Sequence, residues 1–213
     1  MRIAALLLAA FLVTGAASAD PLTVSPKGHW LAQQLDAMGV EGKWIAGEHI
    51  DWRTGLPDGR PEISEGRHTH CSAFVAAAAE KLGAYILRPP QHSQVLLANA
   101  QFEWLDDEGA AKGWRALPDG EAAQSAANAG DLVVASYESH RSDKPGHVAI
   151  VKPASRSAAE LADEGPLVIQ AGTVNSPAIS IREGFKGHPA AWRDQEVRYF
   201  AHTVAGVTAA TRH

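Results

Sequence analysis

The 213-residue chain contains one cysteine, Cys71. A single thiol cannot close an intramolecular disulfide, so the fold must rest on its core, even in a compartment that permits disulfides. Without a second cysteine or an H-x₃₋₅-H pair, the usual zinc frameworks are missing. Basic clusters are missing as well. The 19 Lys and Arg face 24 acidic residues, for a net charge of −5. That balance argues against nucleic acid as a partner. Internal repeats and low-complexity linkers are absent. Beyond the N-terminal residues no stretch is long or apolar enough to span a bilayer, so no stable membrane insertion is expected.

The N-terminus, by contrast, is informative. "MRIAALLLAAFLVTGAASA" has one charge at Arg2, an apolar run from Ile3 to Val13, and small residues at Ala17-Ser18-Ala19. This is the layout of a secretory signal peptide cleaved after Ala19. Residues 1–19 are therefore expected to be a signal, and residues 20–213 one exported domain, periplasmic or extracellular, acting as a monomer. Losing Arg2 would leave 18 basic residues against 24 acidic ones, a net charge of −6. The remaining length suits one domain with a sizeable core.

Along that domain the hydrophobic period changes from helical to extended. Trp30, Leu31, Leu35 and Met38 lie at helical spacing within Pro26–Val40. Asp51–Gly66 is rich in Gly, Pro and Asp and is expected to be a loop. Helices are expected over Cys71–Leu82, stopped by Gly83, and over Ser93–Asp106. Five short β-branched or aromatic segments follow, at Gly130–Ser136, Gly146–Pro153, Pro166–Gly172, Ala178–Arg182 and Val197–Val204. Helices first and strands second predict an α+β domain, with N-terminal helices packed on a mostly antiparallel sheet of about five strands.

Cys71 falls at the start of a predicted helix. Partial positive charge and unpaired N–H groups there favour thiolate over thiol. The same N–H groups, of Cys71 or Ser72, can receive an oxyanion. Ala73 and Ala76 to Ala79 are small enough for a sheet to approach closely. A buried inert thiol is the plain alternative. His68 and His70 beside Cys71 invite a metal reading, but their Gly-flanked loop fits cleft-lining residues better.

A nucleophilic thiol needs a base. His147 opens a strand that is apolar on both faces, which would hold the ring rigidly at the edge of a central strand. If "HVAIVKP" and "PLVIQAG" form a hairpin with Pro153 opposite Pro166, Ala149 lies opposite Gln170. His147 then shares a face with Gln170, close enough for the amide to hold the imidazole. A one-residue slip would turn Gln170 away and leave Asn175 for the task.

"HCSAFVAAAAEKLG", then "AGDLVVASYESHRSDKPGHVAIV", then "LVIQAG" resembles the cysteine amidase and peptidase superfamily that includes NlpC-like and CHAP domains. The resemblance covers roughly Thr69 to Gly172. It implies a papain-like core, with Cys71 as nucleophile, His147 as base and Gln170 as orienting residue, and neither cofactor nor metal. It also implies amide cleavage, with a peptidoglycan stem peptide as substrate. Substrate contacts are expected from Trp52, His70 and Ser72. A non-catalytic module binding cell-wall peptide or protein in the same cleft is the alternative.

Overall fold

The computed structural model describes residues 20–61, 68–141 and 144–205. The expected signal segment lies outside the described residues. Ser25 begins the first helix, α1 (Pro26–Asp36), its hydroxyl accepting from the Gly28 N–H while Pro26 sets the first turn. The second helix, α2 (Cys71–Lys81), carries an alanine run of high helix propensity and is buried from Cys71 to Ala79. Its alanines let it lie directly on the sheet against β3. The helix α3 (Leu97–Asp107) starts four residues later than the Ser93 expected from periodicity.

Next come the strand β1 (Trp114–Leu117) and the helix α4 (Gly120–Ala129), neither of which the sequence pattern predicted. The strands β2 (Leu132–Tyr137) and β3 (His147–Val151) follow, both wholly buried. The polar stretch Ala154–Gly165 contains the helix α5 (Ala158–Glu164). The strands β4 (Leu167–Gln170) and β5 (Ser176–Ser180) come next. Two short helices, α6 (Ile181–Gly184) and α7 (Pro189–Arg193), precede the strand β6 (Arg198–His202).

The protein is α+β. Its six strands, one more than expected, form an antiparallel sheet in the order β1-β6-β2-β3-β4-β5. Helices and strands interleave after Asp107, so the expected separation into helices and then strands holds only for the N-terminal half. The helices cover both faces, because every central strand is apolar on both sides. Leu132, Val134, Val148, Ile150, Ile169 and Phe200 join one core with α1, α2 and α3. Val133, Ala135, Ala149, Val151, Val168 and Ala201 alternate with them and join a second core with α4, α6 and α7. Among the described residues no helix is long and apolar enough to cross a membrane.

The pairing of β3 with β4 decides the site. Ile150 faces Ile169 and Val151 faces Val168. This is the register that sets Pro153 against Pro166 and Ala149 against Gln170, so His147 and Gln170 share a face.

Candidate active site

The site is assembled from the start of α2, the start of β3 and the end of β4. His70 precedes the helix without capping it through its side chain. Cys71 is the first helical residue and 4 % exposed. His147 and the backbone N–H groups of Val148 and Ser72 act on its thiol. β3 and β4 pair only at Ile150–Ile169 and Val151–Val168, so the two strands part beside His147 and Gln170 while β2 stays paired with His147 through Tyr137.

Two other elements hold His147 in place. Asn99, on α3, accepts the Gly146 N–H through Oδ1 at 2.6 Å and fixes the backbone just before the histidine. Gly146 permits this approach: a Cβ there would lie 2.6 Å from Asn99 Oδ1 and 2.1 Å from the Tyr137 carbonyl. On the ring itself, Nε2 donates to Gln170 Oε1 at 2.9 Å. The Gln170 amide donates in turn to the Val174 carbonyl at 3.1 Å. Phe185 meets the ring edge-on, with centroids 4.6 Å apart. Since Nε2 is taken by Gln170, Nδ1 is the nitrogen left for the thiol.

Burial pushes the Cys71 thiol up, but the hydrogen bond and charge of His147, helped by the Val148 and Ser72 N–H groups, outweigh it and hold the thiol below its usual range. Burial likewise pushes His147 down, and the Cys71 hydrogen bond and charge, with Gln170, raise it overall. Both directions favour a thiolate–imidazolium pair. Such a pair can attack a carbonyl and protonate a leaving group.

The expected helpers are placed differently. Asn175 does not orient His147: its Oδ1 accepts from Gly172 N–H, and its Nδ2 donates to the carbonyls of Val40 and Lys43, tying the β4–β5 turn to the loop after α1. Trp52 is core rather than cleft. It is 6 % exposed, takes the Trp44 indole N–H on its carbonyl, and is covered by the Arg53 guanidinium 4.5 Å above its ring. The apolar bulk of an indole on a Gly-rich loop is buried at the cost of one ordered turn. His70 is buried too, with Nε2 at 2.9 Å from the Glu48 carbonyl, so it braces the loop ahead of α2. The Ser72 side chain is buried, its N–H faces the Cys71 sulfur and its carbonyl accepts from Gln101. Among the described residues no three His, Cys, Asp or Glu side chains gather as a metal cluster.

A cleft of about 390 Å³ opens beside His147, bounded by Thr69, Gln170, Val174, Lys144, Glu183 and His188 among others. His188, Lys144 and Asn99 were not legible as site residues. His188 sits in "GFKGHPAAW", which reads as a turn, and only the chain's return between β5 and β6 brings it over His147. The two rings lie nearly parallel, 13° apart, with centroids separated by 6.2 Å. No protein-family model and no curated protein matches the chain.

Proposed function

We propose that this protein is an exported cysteine amidohydrolase with a papain-like core, acting on an amide bond of a peptidoglycan stem peptide. The observation that carries the chemistry is the His147 ring, held at Nε2 by Gln170 Oε1 at 2.9 Å and acting on the helix-start thiol of Cys71. The order of motifs along the chain supports the substrate class, and the N-terminal "MRIAALLLAAFLVTGAASA" supports export.

The thiolate of Cys71 adds to the scissile carbonyl. The backbone N–H of Cys71 at the positive end of α2 receives the oxyanion. As the C–N bond breaks, His147 gives its Nδ1 proton to the departing amine, leaving a thioester on Cys71. A water then loses a proton to His147 and adds to the thioester. The C–S bond breaks and the thiolate and imidazolium are restored, so one water is consumed per amide cleaved. Gln170 keeps Nε2 protonated and the ring turned to the sulfur throughout, as the orienting partner does in a triad.

The test uses purified sacculi and the folded protein. Release of new amino groups should appear with the wild type and vanish with Cys71→Ala, and quenched reactions should trap an acyl adduct on Cys71 by mass spectrometry. A thiol that reacts with iodoacetamide only in denaturant, with sacculi bound but not cleaved, would make the protein a binding module instead.

A further inference from the structure

We infer that the cleft beside His147 is an anion subsite, in which Lys144 and His188 receive a carboxylate carried by the departing amine; this specificity rests on the hydrolase reading above. A general acid must sit against the nitrogen it protonates. The part of the substrate beyond that nitrogen therefore continues past the His147 ring into the cleft it lines.

The charges along that wall do not balance. Among the described residues Glu183 is the one carboxylate that bounds the cleft, and it is ion-paired with Lys186. Lys144 is half-buried and donates to the Gly187 carbonyl at 2.5 Å. An ammonium has three donors, so two remain. Among the described residues no carboxylate pairs with Lys144. The imidazolium of His147 adds a further positive charge at the cleft's inner end. His188 lines the same cleft, its ring parallel to that of His147 and packed against Tyr137 at 5.2 Å. Burial, then the charge of His147, then that of Lys144 hold it down to about 4, so at neutral pH it is an uncharged ring with one N–H to donate. Lys144, with two ammonium donors to spare and no described carboxylate paired with it, and the neutral donor at His188 on the same cleft wall match a carboxylate.

Two sources of that carboxylate are chemically equivalent here: the α-carboxylate of a chain-terminal leaving residue, or a side-chain carboxylate. Synthetic stem-peptide fragments sharing one acyl half separate them. One carries a free α-carboxylate on the leaving residue, one carries an α-carboxamide with a side-chain carboxylate, and one has both amidated. The ratio of kcat/KM for each acid to the fully amidated fragment is the readout. We expect about tenfold for one of the acids, the effect of a charge-assisted hydrogen bond in a half-buried cleft. The acid that shows the ratio identifies the source. Lys144→Met should collapse the ratio toward one, mainly through KM, and Lys144→Arg should retain most of it. Equal kcat/KM for all three fragments with the wild type, or a ratio that survives Lys144→Met, overturns the subsite while leaving the hydrolase standing. Failure to cleave any fragment or sacculi overturns the hydrolase reading, and the subsite with it.

Discussion

Nε2 of His147 lies 2.9 Å from Oε1 of Gln170, and this one contact decides which ring nitrogen faces Cys71. A carboxamide oxygen can only accept, so Nε2 carries a proton. The amide cannot turn over without losing its second bond, from Nε2 to the Val174 carbonyl. Gln170 therefore orients the ring without adding a charge to a buried site, where an unpaired charge would cost far more than a neutral amide.

Gln170→Ala should accordingly lower kcat for amide cleavage by about ten- to a hundredfold, the range seen when a residue that orients a functional histidine is removed. Far-UV circular dichroism should be unchanged, since Gln170 lies at the end of its ladder. Gln170→Glu would place a carboxylate on Nε2 and hold His147 protonated to higher pH, so the alkaline limb of the kcat profile should move upward. An unmoved limb would mean that this amide does not govern the histidine.

The opposite shifts of Cys71 and His147 predict a specific pH signature. A lowered thiol pKa means that thiolate persists below its usual range and is lost as pH falls through the lowered value. A raised imidazole pKa means that imidazolium persists above its usual range and is lost as pH rises through the raised value. The ion pair occupies the interval between. Alkylation by iodoacetamide needs only the thiolate and should proceed at pH about 7, below the ~8.5 of a free thiol, rising to a plateau with pH. Hydrolysis also needs the imidazolium and should be bell-shaped. In His147→Phe the pull on the thiol is gone and its burial remains, so alkylation at pH 7 should slow at least about tenfold.

Two glycines near the site should respond in different ways. A Cβ at Gly184 would sit 2.7 Å from Oε1 of Gln170, the end of a flexible side chain. That end can swing aside only by giving up its bond to His147, so Gly184→Ala should cost about 1–2 kcal/mol of stability. The swing takes the acceptor away from His147, so activity should fall nearly as far as in Gln170→Ala. At Gly146 the Cβ would meet the backbone carbonyl of Tyr137 at 2.1 Å. Backbone in a central strand cannot move alone, so Gly146→Ala should cost about 1–3 kcal/mol and lower Tm by roughly 2–4 °C per kcal/mol. Thermal melts and initial rates on the two variants distinguish the outcomes.

The α+β class, the extent of α2 and the β3–β4 register were legible because each rests on a short-range signal. For α2 the signal was an alanine run ending at Gly83, and for the hairpin it was two prolines that bracket alternating apolar runs. The missing elements had weaker or longer-range causes. β1 is four residues at the sheet edge, and only its pairing with β6 makes it a strand. α4 carried helix signals that went unused, an Asp119 cap and a Gly130 stop around an Ala-rich run. The signal for α5 was present and unused: Ser157 and Glu160 form a capping box, the Ser-x-x-Glu signature of a helix start. For the site, Cys71 followed from its place at a helix start and the pairing of His147 with Gln170 from strand alternation, whereas His188 and Asn99 depend on where chain returns 40–50 residues away bring them. Trp52, expected beside substrate, gains more from burying its indole in the core.

α5 interrupts the connection from β3 to β4, so something other than a tight turn must hold the two strands' ends in place. The buried amides of α4 fill that role. Asn128 donates to the Ala154 carbonyl and accepts the Ala154 N–H, each at 2.9 Å. Gln124 donates to the Lys152 carbonyl and to Asn128 Oδ1, and accepts the Leu167 N–H. Asn128→Ala would leave both backbone groups of Ala154 without these partners, at about 1–3 kcal/mol for each group that stays dry. The expected total of about 2–4 kcal/mol lowers Tm by roughly 5–15 °C. Gln124→Ala should cost a similar amount. Because the two amides share a hydrogen bond, the double variant should lose less than the sum of the singles. The alkylation rate of Cys71 at 25 °C should stay at the wild-type value in the folded fraction, since the ladder from Ile150 to Ile169 still sets the register. A fall in that rate matching the loss of stability would show instead that the amides, and not the ladder, align His147 with Gln170.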